Sequence, residues 1–438
     1  MSNQPILTVN NKGESLDDIL HHCLHCGLCL PVCPTYNITL QEQSSPRGRI
    51  RLIKEVLENK IEVSEQFVDE MYFCLDCQAC QTICPAGVHY GSLVEEARNI
   101  ISEQNKEPAL LRATKLFVLS FLRSPWKTKL WATFLRVYQQ SGVQDAVQQS
   151  GILSLFSEKM HQQQFLIPQI SETFFNSDSQ EIYKAEGKHR GRVAFLSGCI
   201  MNVAFADIHR DAIAVLTKNG YDVIVPKLQQ CCGSLHSHNG EIETAKTLAK
   251  ANIDVFKQYE FDALIIDSAG CGAFMKEYGK VLADDPAYAE LANNLSQKTK
   301  DITEFLAGIE LLPPTRPIAK RVTYHEACHL VHTQKISREP RAILQSIPGI
   351  QFVELHEATW CCGSAGIYNV LRYDDSMQML DRKMNNVAST QADIVVTANP
   401  GCHLQIQYGI KKYNLPMEVI HPVTLLRRSY GDYKDSSG

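Results

Sequence analysis

Two short cysteine runs restrict what this chain can fold into more than any other feature. Cys23-x2-Cys26-x2-Cys29-x3-Cys33-Pro34 returns downstream as Cys74-x2-Cys77-x2-Cys80-x3-Cys84-Pro85. Three thiolates at i, i+3 and i+6 on a tight loop can reach three irons of one 4Fe-4S cubane. The fourth, turned aside by the proline after it, ordinarily ligates the other cluster. By that rule Cys23, Cys26, Cys29 and Cys84 hold one cluster, and Cys74, Cys77, Cys80 and Cys33 hold the other. Zinc also accepts Cys-x2-Cys spacing, but two pairs satisfy it. It explains neither the third cysteine of each run nor the proline.

The chain has 438 residues and sixteen cysteines, all of which fall into four groups of four. Disulfides are rare in a reducing cytosol, where thiolate ligation of metal is favoured. Met1 to Asp17 shows neither a basic n-region nor an apolar h-region, so the reading is cytoplasmic without an export signal. No uninterrupted apolar run approaches the ~18 residues of a membrane-spanning helix. The net charge of -5 lacks the cationic excess that nucleic-acid binding needs.

Beyond residue 105 the chain changes character. Residues 1–105 read as an α-helical wrapper around the two clusters, with helices at Arg47–Leu57 (Ser45 as N-cap, Pro46 at the first position), about Ser64–Phe73 and about Tyr90–Gln104. Residues 106–190 read as a connector: helical over Ala109–Tyr138 with a break near Pro125, then a polar linker over Ile167–Lys188. The remainder repeats itself. Cys199, Cys231, Cys232 and Cys271 recur as Cys328, Cys361, Cys362 and Cys402, at offsets of 129, 130, 130 and 131 residues. A duplicated domain, 191–312 and 313–438, explains this register. Strand-like runs such as Val193–Leu196, Val223–Val225 and Leu264–Ile266 alternate with helical patterns at Ala204–Lys218 and Glu241–Tyr259. The fold class expected is therefore multidomain: a helical two-cluster ferredoxin domain followed by duplicated α/β Cys-Cys-Gly domains with parallel sheets. Each cysteine set then lies just past the carboxyl ends of strands, where open α/β sheets place ligands.

The twin cysteine runs, Ser45-Pro46-Arg47-Gly48-Arg49-Ile50 between them, and the paired Cys-Cys-Gly domains with His325-Glu326-Ala327-Cys328-His329 and Asn399-Pro400-Gly401-Cys402-His403 carry a resemblance. Over about residues 18 to 425 the chain resembles the iron-sulfur subunits of bacterial glycolate oxidase. Relatives of that family serve lactate utilisation, anaerobic glycerol-3-phosphate oxidation and heterodisulfide reduction. The resemblance implies an electron-transfer subunit without substrate chemistry of its own. A separate FAD-containing subunit would oxidise glycolate to glyoxylate, and this chain would relay electrons toward a quinone. The alternatives it leaves are a lactate or glycerol-3-phosphate dehydrogenase subunit, or a thiol-disulfide reductase. The chain agrees by omission, with no dinucleotide fingerprint, phosphate loop or catalytic triad.

One departure matters. Heterodisulfide reductase relatives close each Cys-Cys-Gly pattern with Cys-x2-Cys, whereas here the last position is Phe274 in one copy and Gln405 in the other. Four thiols per copy suit a 4Fe-4S cluster, a redox dithiol or a structural metal site. His325, His329 and His403 are expected beside these sites as hydrogen-bonding neighbours rather than ligands, and His21, His22 and His25 likewise beside the first run. Arg47, Arg49 and Arg51 read either as cluster counter-charges or as a solvated helix face. Residues 109–142 mix Arg112, Lys115, Arg123, Lys127, Lys129 and Arg136 with Phe117, Phe121, Trp126, Trp131 and Phe134, and hold no acidic residue. Such a segment either lies on the cytoplasmic face of the inner membrane or packs on the complex with its basic side outward. The second is the reading preferred from sequence.

Overall fold

The structure is a computed structural model that describes residues 15–431. Most of the segment read above for an export signal, residues 1–14, lies outside the described residues.

Around the two cysteine runs the chain is helical, and its helix starts follow from local chemistry. Ser45 caps the Pro46–Leu57 helix by accepting from the Gly48 backbone N–H at 3.0 Å. Ser64 does the same for Glu65–Phe73 through Phe67 at 3.2 Å. With the Tyr90–Glu103 helix these bury Ile53, Phe67, Met71, Leu93 and Ile101 in one small core. Helices Ala109–Leu122 and Pro125–Gln140 form a hairpin, with Pro125 opening the second as the sequence break suggests.

Two sheets follow. The first contains β1 (Ile182–Tyr183), β2 (Gly191–Phe195), β3 (Tyr221–Ile224), β4 (Ala263–Ile266) and β5 (Thr299–Asp301), in the order β1-β3-β2-β4-β5. The second contains β6 (Arg321–Tyr324), β7 (Gln351–Val353), β8 (Ile394–Val396) and β9 (Glu418–Ile420), in the order β7-β6-β8-β9. All pairings are parallel except β1 against β3. Every residue of β4 is buried, as expected where helices cover both faces. The two copies are not separate bodies: Val193, Phe195 and Ile265 belong to the same apolar cluster as Val322, Tyr324 and Ile394.

One expectation changes. The Ile167–Lys188 stretch is polar in composition but is not a free linker. Phe174 and Phe175 are buried, Phe175 meets the Phe195 ring at 6.3 Å, and β1 adds an edge strand to the first sheet. A few apolar side chains anchor it, which an average over the segment conceals.

Candidate metal centres

All sixteen cysteines are free thiols, and the fold gathers them by quartets. Cys23, Cys26, Cys29 and Cys84 line one small cavity with Arg47 and Pro85. Arg47 closes this loop by donating to the His25 carbonyl at 2.9 Å while its Nε is held by Glu42 at 2.6 Å. In the other quartet, burial pushes Cys77 well above the usual thiol range, with further repulsion from Cys328, Cys74 and Cys33. Cys80 is raised the same way, by burial and then by Cys77, Cys33 and Cys74. Cys84 thus lines the cavity of the first loop, and Cys33 lies near Cys77 and Cys80 of the second as well as near Cys29. Buried thiols crowded in this way lose their protons only to a cation that takes their place, so the donor set fits an iron-sulfur cluster.

The three arginines of the intervening helix have three different fates. Arg49 is fully buried, pairs with Glu70 at 3.2 Å, and donates to the Ser44 carbonyl at 2.8 Å and to Thr35 at 3.0 Å. Burial opposes its charge, but Tyr90, Cys74 and Cys33 favour it and hold the guanidinium cationic. Arg47 clamps the first loop, and Arg51 is exposed and paired with Glu55.

The remaining eight cysteines sit beyond the carboxyl ends of the central strands. In each sheet the strand order reverses at the first strand of the copy, β2 or β6, and the crevice this opens is where side chains from successive loops meet. Cys199 follows β2, Cys231 and Cys232 follow β3, and Cys271 lies in the Ala269–Lys276 helix after β4. Cys328, Cys361, Cys362 and Cys402 repeat the placement after β6, β7 and β8. Cys199 and Cys231 have their sulfurs 3.5 Å apart, and Cys232 joins Cys231 to Cys271. Cys361 and Cys362 likewise bridge Cys328 to Cys402. The glycine of each triplet is obligatory: Gly233 and Gly363 have φ of 94° and 88°, and a Cβ on Gly363 would lie 2.5 Å from the Ser376 carbonyl.

All eight thiols open on a single cavity of about 530 Å³, walled on its other side by Leu75, Leu111, Val118 and Leu122. Cys77 of the ferredoxin part lies against Cys328 and Cys361. The four quartets are therefore contiguous: the first cavity also includes Cys80 of the second quartet, the second touches the fourth through Cys77, and the third and fourth share a chamber.

The positions closing the triplet pattern supply no ligand. Phe274 is buried in the first copy, and Gln405 is bound to Asn369 and Ser376 at 2.9 Å each. Among the histidines, His329 meets the Asp76 carbonyl at 3.1 Å, and His403 packs edge-on against Phe205. His21 meets Lys54 at 3.0 Å. His325 differs: it is 1% exposed, its ring makes no well-formed hydrogen bond beyond an approach to the Ala358 backbone, and a ring nitrogen lies within 4.8 Å of the Cys362 and Cys402 sulfurs.

Two groups escaped sequence reading. Lys383 is buried beneath the second tetrad, where burial lowers it to about 8 and Cys362, Cys361 and Cys402 act to keep its charge. The equivalent place in the first copy is Asn252, which donates to the Cys231 carbonyl at 3.0 Å. His238 bridges Glu95 at 2.5 Å and Asp76 at 3.1 Å, tying the first copy to the ferredoxin part. Burial alone would lower His238, but Glu95 and Asp76 raise it to about 10. These groups meet from distant segments, so no spacing announces them.

Comparison with known proteins agrees with this layout. Residues 19–88 match the model of a 4Fe-4S dicluster domain, and residues 193–276 and 322–407 each match a cysteine-rich domain. Residues 110–164 match the linker region of glycolate oxidase iron-sulfur subunits. The probable glycolate oxidase iron-sulfur subunit of Bacillus subtilis (strain 168) is 39% identical over 432 residues, covering 96% of this chain and 97% of that protein. The glycolate oxidase iron-sulfur subunit of Escherichia coli (strain K12) is 31% identical, covering 91% and 92%. A hypothetical protein from Helicobacter pylori shares the fold, with a TM-score of 0.55 at 9% identity over 89% of this chain and 68% of that one.

Proposed function

We propose a function from one premise: the chain belongs to the family of glycolate oxidase iron-sulfur subunits. It is the electron-transfer subunit of a glycolate dehydrogenase. A partner flavoprotein carrying FAD oxidises glycolate to glyoxylate, and electrons leave through this chain toward a quinone. Cys23, Cys26, Cys29 and Cys84 hold one 4Fe-4S cluster, Cys74, Cys77, Cys80 and Cys33 a second, and the two Cys-Cys-Gly tetrads hold further clusters. Bound there, the clusters supply one-electron transfer, which divides the two-electron oxidation of a 2-hydroxy acid into single steps.

The observation that supports this reading is the adjacency of the four quartets, from the Arg47 loop to the 530 Å³ chamber. The residues of this chain set the conditions for transfer. Burial excludes water from Cys33, Cys74 and Cys80, and Arg49 and Lys383 place positive charge against concentrated thiolates. Anaerobically purified protein is expected to contain at least about eight irons per chain. It should reduce dyes with glycolate only when its flavoprotein is added, and turnover by the lone chain would overturn the assignment. The 2-hydroxy acid is chosen by the flavoprotein, so pairing this chain with a co-purified partner and comparing glycolate, lactate and glycerol-3-phosphate identifies the fuel.

The same reading places the complex at the cytoplasmic face of the inner membrane, through the hairpin. No described helix is long and apolar enough to cross a membrane. The hairpin turns Leu119 and Leu122 inward, while Phe117, Trp126, Trp131 and Phe134 are 56%, 65%, 46% and 62% exposed. This outward aromatic face favours the bilayer surface over the packed alternative preferred from sequence. Lys115 takes no part, being buried on Glu107 and Glu241. In flotation with anionic liposomes, Trp131→Ala with Lys127→Glu should release the protein; unchanged flotation would exclude the hairpin as the anchor.

A further inference from the structure

We propose that His325 is a fifth ligand of the second tetrad, so that an iron-sulfur cluster there is held by four thiolates and one imidazole. This rests on the reading above that the tetrads hold clusters.

An imidazole sealed from solvent, with the Ala358 backbone beside it but at least one ring nitrogen left without a hydrogen bond, has lost more hydration than it has regained in bonds. His325 is in that position, and it is not there by slack packing. It continues from β6 at the centre of the second sheet, and its backbone N–H donates to the Val396 carbonyl at 2.9 Å. The side chain is thus fixed from a rigid strand end, and a ring nitrogen converges with the Cys362 and Cys402 sulfurs within 4.8 Å. A metal centre among those sulfurs would satisfy the nitrogen. The Cys-x2-Cys ending is absent from this copy, and the residue in its place, Gln405, spends its amide on Asn369 and Ser376. The deficit left after the last cysteine is made good from before the first.

The other histidines nearby do not qualify. His329 is bound to the Asp76 carbonyl and meets the His238 ring edge-on at 4.8 Å, and His403 faces Phe205. In the first copy the place of His325 is taken by Leu196, which is buried. His236 lies beside Cys231 there, but its Nε2 is within 3.2 Å of the Leu119 carbonyl, and no three-donor group forms around it among the described residues. The two copies therefore carry unlike ligand sets. Replacing a thiolate by a neutral imidazole raises a cluster's potential, so the second copy's centre should lie above an all-thiolate version of itself.

The test uses the full chain, made anaerobically with natural-abundance or 15N-labelled histidine and reduced with dithionite. Pulsed paramagnetic resonance of the unmutated protein should show a directly bonded nitrogen whose coupling changes with the isotope. His325→Cys should abolish that coupling, keep the iron and sulfide content, and lower the midpoint potential of one centre only. Two results would overturn the proposal: a nitrogen spectrum and midpoint potential identical in the two proteins, or zinc in the tetrad in place of iron and sulfide. Cys402→Ser separates this claim from its premise. If iron falls by about four per chain but no bonded nitrogen is found, the fifth ligand alone is wrong. If iron is unchanged in Cys402→Ser, the tetrad holds no cluster and both fall.

Discussion

The fates of Arg47, Arg49 and Arg51 show how much burial changes the meaning of a charge. Arg51 is 63% exposed on its side chain, and its pair with Glu55 should contribute under about 1 kcal/mol. Arg49 is buried against Glu70, so removing it strands a carboxylate in the interior. Arg49→Met is expected to destabilise the protein by about 3–5 kcal/mol, against less than about 1 kcal/mol for Arg51→Met, in parallel denaturant titrations. Equal costs would mean that Glu70 finds another partner. The sequence places all three on one helix but does not say which side of it will be covered, because the cover comes from Glu70 and Thr35 on other elements. The cysteines are legible for the opposite reason. Their constraint is local spacing, and spacing of three on a loop leaves few geometries.

At the scale of elements, the readable parts were those with their own caps and periodicity. The Pro46–Leu57 and Glu65–Phe73 helices begin where Ser45 and Ser64 permit, and β2, β3 and β4 fall on the expected apolar runs. The order of the polar stretch at Ile167–Lys188 is hidden from sequence because it comes from Phe174, Phe175 and the pairing of β1 with β3, all long-range. The contact between the Tyr90–Glu103 helix and the first Cys-Cys-Gly domain was invisible for the same reason, and it has a pH signature. His238 is raised from 6.5 to about 10, so its stabilising effect is whole below pH 6.5 and drains as pH climbs toward 10. Burial would raise Glu95, but His238 pulls it from 4.5 to about 2, so that side of the same pair is whole above pH 4.5 and is lost as pH falls from 4.5 through 2. The stability gap between the unmutated protein and His238→Gln, followed by thermal melting from pH 6.5 to 10, should narrow steadily. A gap constant with pH would refute the ion pair.

For the whole molecule, the decisive relation is between parts that sequence treats separately. The duplicated register suggests two domains side by side, yet Val193 and Phe195 share their core with Val322 and Tyr324, and both tetrads face one chamber. A fragment ending near residue 312 would leave the β2 side of that core bare. It is expected to be insoluble or to bind a hydrophobic dye, whereas a soluble, cooperatively melting fragment would show that each copy stands alone. Equivalence of the copies is also broken, since Lys383 lies beneath one tetrad where Asn252 lies beneath the other. Lys383→Met should lower the potential of the second centre and leave the first unmoved in redox titration.

In the proposed assignment Cys84 completes the first loop's set and Cys33 the second's, so each cage borrows its last wall from its neighbour. Neither can be finished while the other loop is still unformed. Maturation of this pair should accordingly be all-or-none, and native mass spectrometry of partly loaded protein should find chains with both inserted or neither, and few with one.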